Sequence, residues 1–148
     1  LLIVGDGPLR NQLASSIQGL PIHLMGSCDH QATQQLIANA RLLLVPSEWF
    51  EGFALVIVEA FSQGTPVAVS NIGPLPSIIR PGESGILFEP HNPDDLFAKI
   101  KSAWDTPGLL EKLGKGARSA FDLYYNETTN FARLMAIYHQ ALEVARRA

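Results

Sequence analysis

Charge is scarce in this sequence. Asp, Glu, Lys and Arg make up 17% of its 148 residues, and the net charge is −3. That balance excludes a partner held by cationic charge, nucleic acid above all. Cysteine is nearly missing. Cys28 stands alone, so no internal disulfide can form, and a reducing, cytoplasmic setting is expected. No apolar run approaches the roughly 18 residues of a membrane-spanning helix, and the start does not resemble a signal peptide. His23, His30, His91 and His139 are scattered without ligand spacing, and there is no Asp-x-Asp pair, so no metal is expected. No Ser-His-Asp arrangement is legible, and Cys28 lacks a nucleophile motif. "GDGP" at 5–8 has G-x-G without the third Gly of a dinucleotide fingerprint, so it reads as a strand-to-helix turn.

What is present is apolar residues, 47% of the chain, in an amount and length that suit one domain with a sizeable core. Five short apolar runs, at 1–4, 22–25, 42–45, 66–70 and 85–88, read as strands. They are nearly continuous, as in parallel strands buried on both faces. Helical spacing lies between them: Leu9, Leu13 and Ile17; then Leu36, Ile37 and Ala40; then 53–63. Strands alternating with helices indicate an α/β fold with a parallel sheet flanked by helices. The last third is helical. Asn92 suits a cap, Pro93 the first helical position, and Asp94 and Asp95 the positive end of a helix. Leu96, Phe97, Ile100, Ala103 and Trp104 mark its expected core face. A second helix follows Pro107, and a third runs from about Glu127 to the end with Phe131, Leu134, Met135, Tyr138 and Leu142. The chain opens inside a strand without an initiator Met, so it is expected to be a fragment of a longer protein.

The stretch "EGFALVIVEA" at 51–60 carries a glutamate at each end of an apolar run. A helix apolar all round is a buried helix. A carboxylate buried there needs a partner or a ligand. Two readings stand on residue chemistry. In one, Glu51 complements the helix dipole and Glu59 pairs with a core arginine such as Arg41 or Arg80. In the other, both carboxylates accept hydrogen bonds from ligand hydroxyls, while uncapped N–H groups behind Gly52 hold an anion. The loop 46–52 follows a strand, where open α/β sheets bind ligands.

Taken together, Pro46, Ser47, Glu51, Gly52, Phe53, Leu55, Val56, Glu59, Ala60, Gly64, Pro66 and Val67 stand in a register that is specific. It resembles the donor-binding motif of the retaining, nucleotide-sugar-dependent glycosyltransferases of the GT-B fold, family four, also called glycosyl transferases group 1. "GDGPLR", "LMGSCD", "GESGILFEP" and "NPDDL" extend the resemblance over nearly the whole chain. It implies a single Rossmann-like domain over 1–148, the C-terminal, donor-binding half of a GT-B fold. The partner it implies is a nucleoside diphosphate sugar, with no cofactor and no metal. It assigns Glu51 to the sugar near the reacting face, and thus to the catalytic role. Gly52, Phe53, Ala54, Leu55 and Val56 fall on the donor, with backbone N–H groups of 53–55 at the sugar and diphosphate. Glu59 falls on the ribose hydroxyls, and the turn 26–28, with Cys28, on the nucleobase. An Arg and a Lys that grip the diphosphate would precede Leu1. So would an N-terminal domain that holds the acceptor, through which peripheral membrane association is also conceivable.

This chain departs from the family pattern in two places. Ala54 replaces a usual Gly, and "IGPLPSII" at 72–79 has Pro74 for a Gly and Ser77 for a Glu. The altered loop at 73–77 leaves open a nucleotide-sugar binding module that has lost its chemistry; the fold alone leaves open a nucleotide-sugar epimerase or a phosphorylase, though no Lys-bearing motif for a phosphorylase is visible. A glycoside hydrolase ranks below these, because two carboxylates eight residues apart on one helix edge flank a sugar poorly.

Overall fold

The computed structural model describes residues 1–147. The chain divides into two compact units, Leu1–Asn39 and Ala40–Ala148. In the first, β1 (Leu2–Val4) leads to α1 (Arg10–Ser16), β2 (His23–Gly26) and α2 (His30–Asn39). β1 and β2 pair in parallel. In the second, β3 (Leu43–Val45), α3 (Leu55–Gln63), β4 (Val67–Ser70), α4 (Leu75–Ile78) and β5 (Gly85–Phe88) precede α5 (Pro93–Asp105) and α6 (Leu109–Ala120). A π-helical segment, Phe121–Tyr125, then joins α6 to α7 (Glu127–Arg147). The sheet order is β3-β4-β5, all parallel. Parallel sheets flanked by helices, with a helical last third, make a Rossmann-like fold of the expected class.

Both-face burial holds for β4, whose four residues are all buried, but not for β1 and β2, which alternate exposed and half-buried positions. β4 is the central strand of three, whereas 39 residues around a two-stranded sheet supply too little chain to cover both faces. Expectations about helix faces also need correction. The run 53–63 is not buried all round. α3 starts at Leu55, and Ile57, Ala60 and Phe61 form its buried stripe. Leu55 is 68% and Phe53 49% exposed. The buried positions follow the i, i+3, i+4 rule of a one-faced helix and lie opposite Glu59, Ser62 and Gln63. On α5, Ala103 is buried while Phe97 and Trp104 face outward. The Arg41 guanidinium lies 4.2 Å from the Trp104 ring centroid and covers it. α7 buries none of its apolar residues.

The start of α5 follows the sequence reading: the Asn92 side chain accepts from the Asp95 N–H at 3.0 Å, with Pro93 in the first turn. α4 was not anticipated. Four residues of "LPSI" turn helical after Pro74 because Leu75 and Ile78 find buried sites.

α6 is packed by backbone rather than by side chains. A Cβ built on Gly114 would meet the Gly64 carbonyl oxygen at 2.5 Å, and one on Gly116 would meet the Glu83 carbonyl oxygen at 1.9 Å. These obstacles are main chain and cannot rotate away. Gly116→Ala is therefore expected to destabilise the domain by about 1–3 kcal/mol or more, the cost of overpacking. A urea midpoint unchanged by this substitution would show that α6 can slide.

Candidate functional site

Three parallel strands end on one side, and their following loops carry the chemistry. After β3 comes 46–54. Ser47 is 8% exposed, and its hydroxyl donates to Glu51 Oε1 in a short hydrogen bond. Glu51 is half-buried, so its carboxylate is held by the loop that bears it. Ser47 belongs to the motif read from the sequence, but its hold on Glu51 was not foreseen; it depends on the fold of the loop.

Glu48, beside Ser47, pairs with His91 Nδ1 at 3.5 Å, both side chains being exposed. His91 follows β5 and takes a left-handed backbone, φ 56°, an uncommon state for a non-Gly residue. Asn71, after β4, donates from its side chain to Glu89, after β5, at 3.1 Å. Polar side chains following all three strands are thus paired with one another.

Gly52 and Phe53 lead to Ala54, the residue that caps α3. Ala54 is buried and has φ −85°, ψ 92°. That is ordinary extended backbone, so Ala stands where the family has Gly without strain. Its carbonyl accepts from the Ile57 N–H at 3.0 Å. No side chain caps α3, so the positive end of the helix opens beside Glu51 without a carboxylate or hydroxyl bonded to its first turn. Leu55 is exposed and Val56 half-buried in that turn. Glu59 is half-buried one turn further on. The later start of α3 brings Glu59 nearer to the helix mouth than the sequence suggested.

Arg80 donates to the Tyr124 hydroxyl at 2.8 Å and to Glu83 at 3.3 Å, and Arg41 covers Trp104. Cys28 lies in the other compact unit. It is half-buried, with its thiol 3.9 Å from the Gly26 carbonyl oxygen. The segment 72–79 crosses from β4 into α4. Gly73 has φ 55°, and a Cβ there would fall 2.9 Å from the Phe50 ring. Ser77 turns its hydroxyl back onto the Pro74 carbonyl at 2.6 Å, so it is bonded to its own backbone where the family has a carboxylate.

Behind the loop stands an aromatic group that the sequence did not single out. The Phe53 and Tyr125 ring centroids are 6.4 Å apart, and those of Phe61 and Tyr125 are 6.3 Å apart. Burial pushes the Tyr125 phenol above its ordinary pKa. Among the described residues no three His, Cys, Asp or Glu side chains gather as a metal site, and no helix is long and apolar enough to cross a membrane.

The family model described as Glycosyl transferases group 1 matches residues 1–120. A sulfoquinovosyl transferase of Arabidopsis thaliana is 31% identical over 127 residues, 84% of this chain and 25% of that protein. An MMP alpha-(1->4)-mannosyltransferase of Mycolicibacterium hassiacum is 31% identical over 139 residues, 93% of this chain and 33% of that protein. The solved structure of sucrose-phosphate synthase from Thermosynechococcus elongatus superposes with a TM-score of 0.84 at 28% identity, over 97% of this chain and 39% of that one. The chain thus spans between about a quarter and two-fifths of the length of these relatives.

Proposed function

Because this chain belongs to the family of group 1 glycosyl transferases, we propose that it binds the sugar donor, a nucleoside diphosphate sugar, for retaining hexosyl transfer to an acceptor. The observation that carries this reading is Ser47 holding the Glu51 carboxylate beside the helix end left without a side-chain cap. A sugar diphosphate has hydroxyls for the first and an anion for the second. Glu51 accepts from the donor sugar near its reacting carbon. The N–H groups of Phe53, Ala54 and Leu55 hold the diphosphate and stabilise it as it leaves, an electrostatic contribution to catalysis. Glu59 accepts from the ribose hydroxyls. The turn at 26–28, with Cys28, is assigned to the nucleobase on sequence position alone. The relatives are named for different sugars and products, so family membership does not select the sugar.

One observation favours a second reading. Ser77 is bonded to its own helix rather than offered to a ligand, which suits a module that binds the nucleotide sugar without transferring it. Sugar transfer by a protein that contains this chain would dismiss this alternative.

The test is an amide NMR titration with UDP, GDP and ADP, sensitive to affinities as weak as ~1 mM, about −4 kcal/mol. Shifts should gather at Phe53–Leu55 and Glu59 with one base and vanish in Glu59→Ala. No shift at several millimolar, repeated with the chain extended at its N-terminus, would sink the donor-site reading.

A further inference from the structure

The segment that would meet the donor is braced from behind by one ring. Tyr125 touches Phe53, at half exposure in the loop before α3, and Phe61, fully buried on α3, with tilted rings at 53° and 58°. It therefore links the loop to the core of the same helix.

The segment that carries Tyr125 is hydrogen-bonded on both sides of it. Tyr125 ends the π-helical segment, a wider turn than the α-helix and one found often at functional sites. Before it, Arg118 donates two hydrogen bonds to Asp122, at 2.8 and 3.1 Å. Beside it, Tyr124 accepts from Arg80 through its hydroxyl at 2.8 Å and from Arg133 through its carbonyl at 3.1 Å. After it, Asn126 bonds the Asp122 carbonyl and accepts from the Thr129 N–H at 2.8 Å, starting α7. Aromatic pairs of this separation and tilt are attractive and directional.

We propose that Tyr125 is a positioning residue for the donor loop: its ring fixes Phe53 and so aims the N–H groups of 53–55. This rests on the donor-site reading above. Tyr125 makes no contact with the donor in this scheme; it acts through Phe53.

The test compares Tyr125→Phe, Tyr125→Leu and Phe53→Leu in the full chain by NMR titration with the nucleotide that binds the wild type. Tyr125→Phe keeps the ring and should bind like wild type. Tyr125→Leu should weaken binding by about three- to tenfold, the size of a lost aromatic pair. It should also shift the Phe53–Leu55 amides before nucleotide is added. Phe53→Leu should weaken binding by a similar factor, and the double variant should bind no worse than either single one. A structural role alone would lower the melting temperature and leave affinity unchanged well below it; that result, or additive losses, would overturn the proposal. Should Tyr125→Leu fail to fold, Phe53→Leu against Tyr125→Phe carries the same comparison, because Phe53 is half-exposed. A wild-type chain that binds none of the three nucleotides would remove the donor reading and this proposal with it. Wild-type binding that Tyr125→Leu leaves intact would remove this one alone.

Discussion

Phe61→Ala is expected to cost about 3–5 kcal/mol, the range for emptying a fully buried aromatic site. The ring is 0% exposed. It lies on the buried stripe of α3 with Ile57 and Ala60 and meets the Tyr125 ring at a tilt of 58°. A domain of this size has about 5–15 kcal/mol of stability in all, so this one change takes a large share of it. The denaturation midpoint in urea should fall while the slope stays constant. Phe61→Leu, which keeps most of the volume, should cost about 1.5 kcal/mol or less. Leu55→Ala, six residues earlier in the same apolar run, should stay within about 0.5 kcal/mol, because Leu55 faces outward. A loss at Phe61 no larger than at Leu55 would mean that α3 is rotated from the face described.

The second large effect concerns discrimination rather than folding. Glu51→Ala is expected to weaken a nucleoside diphosphate sugar by about 10- to 100-fold, the worth of hydrogen bonds to a charged acceptor. The bare nucleoside diphosphate should bind as before. Glu59→Ala should weaken both, since its proposed partner is the ribose that they share. The comparison works because Glu51 is held by Ser47 in the loop and not by the core; removing its carboxylate should leave α3 standing. Ser47→Ala, which frees the carboxylate but keeps it, should fall between wild type and Glu51→Ala. Calorimetric titration of each variant with both ligands reads the difference directly. Equal losses for sugar and bare diphosphate at Glu51→Ala would place Glu51 on the ribose that both ligands share, or in holding the loop, rather than on the sugar.

Much of the fold was legible because residue type and spacing speak about local structure. All five strands lie within a residue or two of the apolar runs, and the Asn92–Pro93–Asp94–Asp95 start of α5 stands as read. Orientation was less legible. Polar residues usually mark the outside of a helix, and in α3 Glu59, Ser62 and Gln63 at i, i+3, i+4 spacing mark the face that Leu55 shares; the apolar residues around them drew attention away from that stripe. Trp104 looks like core until Arg41 is seen to cover it. α4 hides behind Gly73, Pro74 and Pro76, residues that signal a turn. The π-helical segment changes the hydrogen-bond ladder without a change in composition, which is why Tyr125 went unnoticed. At the site, the motif located both glutamates. The Ser47–Glu51 bond needed a folded loop to appear.

The two ends of α3 are built to different stiffness. Its rear is clamped: Gly64 turns in the left-handed conformation, the backbone of α6 presses against it at Gly114, and Arg118 donates to the Ser62 carbonyl at 2.6 Å. Its front has no capping side chain and follows an exposed loop. Compliance is therefore concentrated at 48–52, ahead of the ring contact between Phe53 and Tyr125, as in a beam fixed at one end. Any adjustment to the size of a ligand is taken up there, while β4 and the sheet behind it are spared the strain.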